Sequence, residues 1–282
     1  MMDNGILLMA LATLCFSLLS VCVKYVHHIP AHELILFRGL ITLVLSFAHV
    51  KKLKISPWGN NKKLLIARGF WGTAALTCFF IAVQKIPLAT AATLQYSAPI
   101  FTAIFGIFIL KEKVKPTQWF LIFLALIGVI MINGIDKEVS PIYFTLATLA
   151  GVFSGLAYVI VRKLKSTDHP AVIVFYFPFI AVPIMSVWTY FDFTLPIGKD
   201  WIFILLIGLL TQLGQLLMTH ALQKENAARA TSVMFIGTIN AFIFSTFLFK
   251  ENYTIYSVFG ILIVSFAVIS NIYFTSNPRI KG

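Results

Sequence analysis

Ten apolar stretches, each near the length of a bilayer-spanning helix, follow one another along this 282-residue chain with short polar connections between them. A helix that crosses the hydrocarbon core needs about 20 consecutive, mostly apolar residues. A window of that length places spans at about 4–26, 31–49, 64–85, 89–110, 116–133, 141–164, 170–190, 200–222, 227–249 and 254–274. Hydrophobic residues make up 59% of the chain and charged residues 11%. Soluble domains run at about 45–50% apolar and about 25% charged, so a water-facing surface cannot be assembled from this composition. The sequence predicts an all-α integral membrane protein. The first stretch is expected to stay in place as a span, because MMDNG has no basic n-region and the apolar run behind it is too long for a cleaved leader.

A net charge of +12 would suggest nucleic acid in a soluble protein. Here the basic residues fall between apolar runs, where they set orientation instead. With the N-terminus in the cytoplasm, the inner side holds sixteen: Lys51, Lys52, Lys54, Lys62, Lys63, Arg68, Lys111, Lys113, Lys115, Arg162, Lys163, Lys165, Lys224, Arg229, Arg279 and Lys281. The outer side holds five, Lys24, Lys85, Lys137, Lys199 and Lys250. That asymmetry places both termini in the cytoplasm of a cell whose plasma (inner) membrane carries the protein. The expected partners are the lipid bilayer and a small-molecule solute, with no nucleic acid. A homodimer is an arrangement the sequence leaves open.

The chain also repeats. Shifted by 139 residues, the run from Ala82 to Glu112 lies over the run from Ala221 to Glu251 without a gap. Apolar matches such as Ala89/Ala228, Ala91/Ala230, Ile100/Ile239 and Phe108/Phe247 are cheap in so apolar a chain. The matches Gln84-Lys85/Gln223-Lys224 and Lys111-Glu112/Lys250-Glu251 are not, because charged residues are scarce. Lys24 at the end of the first span likewise falls over Lys163 at the end of the sixth. The expected units are therefore residues 1–137 and 138–282, five spans each. An odd number of spans makes the second copy enter the membrane the opposite way up, the inverted-repeat plan of many secondary transporters.

These residues resemble the drug/metabolite transporter superfamily and, within it, the EamA-type ten-helix transporters. The likeness covers essentially the whole chain. Its marks are Lys24 closing the first span, LILFRG with Arg38 in the second, PLATAATLQYSAPIFTAIFG with Pro99 in the fourth, the LKEKV turn, and LALIGVIMI in the fifth. Thr238 stands where the second copy would carry the proline matching Pro99. The resemblance implies a transporter of small metabolites and favours export of metabolites or amino acids. The inverted repeat adds alternating access, and the neutral amides, Tyr96 and Arg38 suit an exporter or exchanger of amino-acid-like, zwitterionic or carboxylate-bearing solutes. The alternatives are an importer of a nucleotide-derived metabolite such as S-adenosylmethionine, or a membrane subunit that transports nothing.

Within the spans, polar residues mark candidate sites. Pro99 has no N–H to give the carbonyl of Gln95, which in lipid must find another partner. Tyr96 and Pro99 share a face with Ala103 and Gly106. Gln212 and Gln215, with Thr219, form a polar stripe in the eighth span, and Ser154, Tyr158 and Asn240 are of the same kind. Phe79 and Phe80 offer a stacking surface or plain apolar contact. Arg38 lies about two turns inside the second span, where an unpaired cation costs about 2.5–3.5 kcal/mol at full depth. It either snorkels to the outer interface beside Glu33 or, with Lys24, holds an anionic solute or an outer gate.

Other chemistries lack their residues. Every Asp and Glu sits at a span end or in a loop. Proton-driven carriers commonly use intramembrane acids or histidines, and only His220 falls in a span's last turn. Facilitated or exchange transport is therefore expected. GVFSG at Gly151–Gly155 misplaces its serine for a GxSxG elbow, and HExxH is absent, so no enzyme is expected. Cys15, Cys22 and Cys78 lie in apolar segments as small fillers. His27, His28 and His32 share a loose turn that does not fix metal ligands. No metal site or cofactor is implied.

Overall fold

A computed structural model describes residues 4–86, 88–133, 140–250 and 255–275. Among them the chain is helical throughout: α1 Gly5–Tyr25, α2 Ala31–Lys52, α3 Lys62–Lys85, α4 Leu88–Gln95, α5 Ala98–Phe105, α6 Pro116–Asn133, α7 Pro141–Lys163, α8 Pro170–Phe191, α9 Asp200–Lys224, α10 Ala227–Ser232, α11 Ile236–Phe249 and α12 Ile255–Thr275. These make the ten expected spans, the fourth from α4 and α5 and the ninth from α10 and α11. Seven spans are long and apolar enough to cross a bilayer; Ala98–Leu110, Pro116–Met131 and Val258–Asn271 are shorter apolar helices. The boundary expected at 137/138 lies outside the described residues.

The packing follows the repeat. α1 packs against α9, and its counterpart α7 packs against α3, the counterpart of α9. α2 lies on its own counterpart α8, and α6 on its counterpart α12. Every one of these contacts maps onto another, or onto itself, when the halves are exchanged. The backbone repeats as well. α3 ends on an extended Ile86 (φ −127°, ψ 164°) and α9 on an extended Glu225 (φ −114°, ψ 161°). Lys111 and Lys250 both adopt the left-handed conformation, at φ 55° and 54°. Non-glycine residues rarely go there, and its recurrence at Lys111 and Lys250 marks the same backbone stop at matched positions.

The fourth span departs from the single helix expected over 89–110. Tyr96 and Ser97 form a turn, and α5 starts afresh at Ala98 with Pro99 in its first turn, where a missing N–H costs nothing. Ser97 donates its hydroxyl to the Leu94 carbonyl at 2.6 Å across the break. A π-turn over Gly106–Leu110 then leads into Lys111. The ninth span breaks at the matching place, with a 3₁₀ turn over Val233–Phe235, although Thr238 replaces the proline. The break therefore does not depend on proline.

Tertiary packing supplies a second cause. Gly151 and Gly155, one turn apart on α7, let the α4–α5 junction approach closely, as small residues do in membrane interfaces. A Cβ on Gly155 would sit 2.7 Å from Phe101 Cβ and 2.9 Å from the Thr102 nitrogen, and one on Gly151 would collide with the Ser97 hydroxyl.

The acids hold the ends of the bundle. Glu33 is fully buried and accepts from the Thr194 backbone N–H at 2.9 Å. Asp168 accepts from the backbone of Asn60 at 2.6 Å and Asn61 at 3.2 Å, tying the α2–α3 loop to the α7–α8 turn. Glu112 takes Arg162 Nε at 3.2 Å and the Ala227 N–H at 3.1 Å, while Arg162 also donates to the carbonyls of Leu222 and Gln223. Such charge-assisted bonds are stronger than neutral ones. Gly155→Ala is expected to lower stability by about 1–3 kcal/mol through overpacking, read as the melting temperature in detergent. Gly106→Ala, whose Cβ would meet nothing nearer than 3.9 Å, is expected to leave that temperature nearly unchanged.

Candidate functional site

A cavity of about 110 Å³ opens between the two halves, several times the roughly 10–15 Å³ that one buried water needs. α1 contributes Thr13, Phe16 and Ser17, α3 Phe79 and Phe80, α4 Gln95, and α7 Ser154 and Tyr158. Two cations also face it: Arg38 from α2 and Arg68 from α3.

Both arginines are 3% exposed. Arg38 stands about two turns from the start of α2, Arg68 about two turns from the start of α3, and these helices begin at opposite ends of the bundle. Each guanidinium is thus carried toward the middle from its own side. α9 receives them on successive turns: Arg38 donates to Thr211 Oγ1 at 3.2 Å and Arg68 to Gln215 Oε1 at 2.9 Å. Both lie against the ring of Phe177 on α8, their guanidinium carbons 5.1 and 4.9 Å from its centroid. Arg38 also meets the Phe80 ring at 5.7 Å. Phe177 is the residue that the 139-residue shift lays over Arg38, so the cation sits on its own counterpart. Among the described residues neither arginine has an acidic partner, and no Asp or Glu lines the cavity. Arg38 Nε and Arg68 Nε and Nη1 are buried without an acceptor. Two unit charges about 6–10 Å apart repel by about 2–3 kcal/mol at an effective dielectric of about 20. A purely structural role would leave that cost standing.

Across the cavity Gln95 donates to Ser154 Oγ at 2.8 Å, and its Oε1 is buried without a partner. The Tyr96 hydroxyl abuts Gly237 at the start of α11, where any Cβ would collide with it.

Of the residues singled out from the sequence, Arg38, Tyr96, Gln95, Gln215, Tyr158 and Phe79 line the cavity. Pro99, Gln212, Asn240 and Lys24 do not. Pro99 is buried in the first turn of α5, and Gln212 is buried on α9 with its Oε1 unpartnered. Asn240 touches the wall indirectly, donating to Ser17 Oγ at 3.4 Å. Lys24 lies at the end of α1 with Nζ over the Phe249 ring at 5.2 Å, apart from Arg38. Arg38 does not snorkel to Glu33, because Thr211 and two aromatic rings hold it inward. Arg68, assigned to the inner loops above, is buried within the spanning helix α3 and lines the cavity. The α3 cap is Asn61, whose side chain accepts from Leu64 N–H, so Lys62 and Lys63 already supply the interfacial charge and Arg68 lies beyond it. That spacing was the available signal. The three histidines diverge: His27 contacts the Lys24 carbonyl, His28 reaches Asp200, and His32 reaches Asp192 and stacks on Trp188.

The model of the EamA-like transporter family matches residues 3–134 and again 141–273, in two copies that span the described bundle. The chain belongs to the EamA-like transporter family. It is 30% identical over 246 residues to the pseudopaline exporter CntI of Pseudomonas aeruginosa, covering 85% of each chain. It is 30% identical over 280 residues to solute carrier family 35 member G1 of Mus musculus, covering 92% of this chain and 76% of that one. A solved crystal structure superposes with a TM-score of 0.80 over 96% of this chain and 99% of the other at 14% identity, a likeness of fold. The exporter and the solute carrier are transporters and not enzymes, and this EamA-like protein is a multi-pass membrane transporter.

Gly72 leaves the space that Arg68 occupies, and a Cβ there would collide with Arg68 Nη1 and come within 2.9 Å of the Phe177 ring. Because both the Arg68 guanidinium and the Phe177 ring are obstructed, Gly72→Ala is expected to cost about 1–3 kcal/mol of stability. It is also expected to reduce transport severalfold, measured as flux per folded protein in proteoliposomes.

Proposed function

We propose that this EamA-like transporter exports small organic solutes bearing a carboxylate or comparable anionic group, zwitterionic amino-acid-like molecules included, by alternating access between its inverted halves. The observation that carries the reading is the pair of buried guanidiniums, Arg38 and Arg68, facing one cavity without a counter-ion among the described residues. Guanidinium N–H groups match carboxylate oxygens in geometry as well as charge. The same two charges repel a solute of net positive charge, which favours this reading over import of S-adenosylmethionine. Export as the direction is supported by the likeness to a protein named as an exporter. The excess of basic residues in the loops on the same side of the bundle as the N-terminus supports a plasma (inner) membrane orientation with both termini cytoplasmic. The 139-residue repeat supports two five-helix units, 1–137 and 138–282, as the bodies that exchange conformation.

Because no Asp or Glu lines the cavity among the described residues, a carboxylate proton relay is not built into it. Proteoliposomes preloaded with an organic acid are expected to accumulate the labelled acid by counterflow, and to do so after the pH gradient is collapsed. Removing either cation, as Arg38→Gln or Arg68→Gln, is expected to weaken apparent affinity about ten- to a hundredfold, the value of a lost charged hydrogen bond. Counterflow that no organic anion supports, or flux that vanishes with the pH gradient, would overturn the proposal.

A further inference from the structure

Two arginines at neutral pH bring two positive charges, because guanidinium keeps its proton. Neither is balanced by a carboxylate among the described residues. Their anchors on α9, Thr211 and Gln215, are four residues apart and so about 5–6 Å along one face. Each guanidinium spends one N–H on α9 and keeps buried N–H groups without an acceptor, Nε on Arg38 and Nε with Nη1 on Arg68. A single carboxylate fills one guanidinium fork. Placed here, it would leave one positive charge unmatched and the second set of N–H groups unused. A wall of Leu76, Phe79 and Phe80 beside the cations accommodates a carbon body.

From this charge balance and spacing we infer that the solute held by the site is a dianion. It presents either two carboxylates, one to each guanidinium, or one doubly charged phosphate shared between them. The inference rests on the anion-export reading above and narrows it to a charge of −2.

The test is calorimetric titration of the purified, detergent-solubilised full-length protein with matched probes. Succinate is compared with its monoamide succinamate, and glycerol 3-phosphate with its methyl ester. In each pair the dianion is expected to bind at least about tenfold tighter, as a second charged hydrogen-bonded contact requires. The two pairs separate the dicarboxylate source of the charge from the phosphate source. Arg38→Gln and Arg68→Gln are each expected to erase the preference while keeping monoanion binding. Melting temperatures without ligand establish that each variant is folded. Equal affinity for dianion and monoanion in both pairs, or a preference that survives in either Arg→Gln variant, would overturn the inference while leaving anion export intact. Binding of neither probe type in either pair would overturn both.

Discussion

Two like charges held, among the described residues, without a counter-ion inside an apolar bundle are the constraint around which the rest of the structure is arranged. A cation at mid-membrane is expensive, and a second one beside it adds repulsion to desolvation. The protein keeps both by giving each a polar anchor on α9 and a shared aromatic face on Phe177. Those contacts fix position without neutralising charge. On the proposed anion reading the solute is the neutralising partner, and the cost of burying the cations becomes the free energy available for binding it.

The inverted repeat makes that placement available. Arg38 and Phe177 are counterparts that meet because α2 and α8 pack on each other at the junction of the halves. The first half supplies the cations; the second supplies the ring and the α9 anchors. The polar side chains of α4 and α7 also line the cavity, and the Gly151–Gly155 contact brings the α4–α5 break against α7. The acids stay at the bundle ends, where Glu33, Asp168 and Glu112 bind backbone N–H groups and hold loops. Keeping the carboxylates there leaves the cavity positive.

Much of this is legible in the residues. Apolar run lengths give the ten spans, and the rare Gln-Lys and Lys-Glu matches give the repeat, down to the left-handed Lys111 and Lys250. The site is legible in part. Arg38, Gln95, Tyr96, Tyr158 and Gln215 stand out because polar groups in a span need a partner, but which face of each helix they occupy depends on packing that no single segment encodes. Arg68 escaped because counting charges by side treats a cation near a span's start as interfacial, although Lys62 and Lys63 already occupy that interface. GVFSG reads as a failed catalytic elbow until α7 is seen against α5, where its glycines are contact points. Pro99 points to one lost backbone hydrogen bond within a single helix, whereas the chain breaks before it and breaks again at the matching place without a proline.

The most direct test of the central claim is arginine-directed labelling. The protein in proteoliposomes would be treated with phenylglyoxal, with and without a bound organic anion, and each arginine read by mass spectrometry. The account predicts that Arg38 and Arg68 are modified in the empty protein and that the anion protects both together, while Arg162 and Arg229 at the bundle end are unaffected by it. Labelling of Arg38 and Arg68 that no anion changes would show that the two cations serve the fold alone.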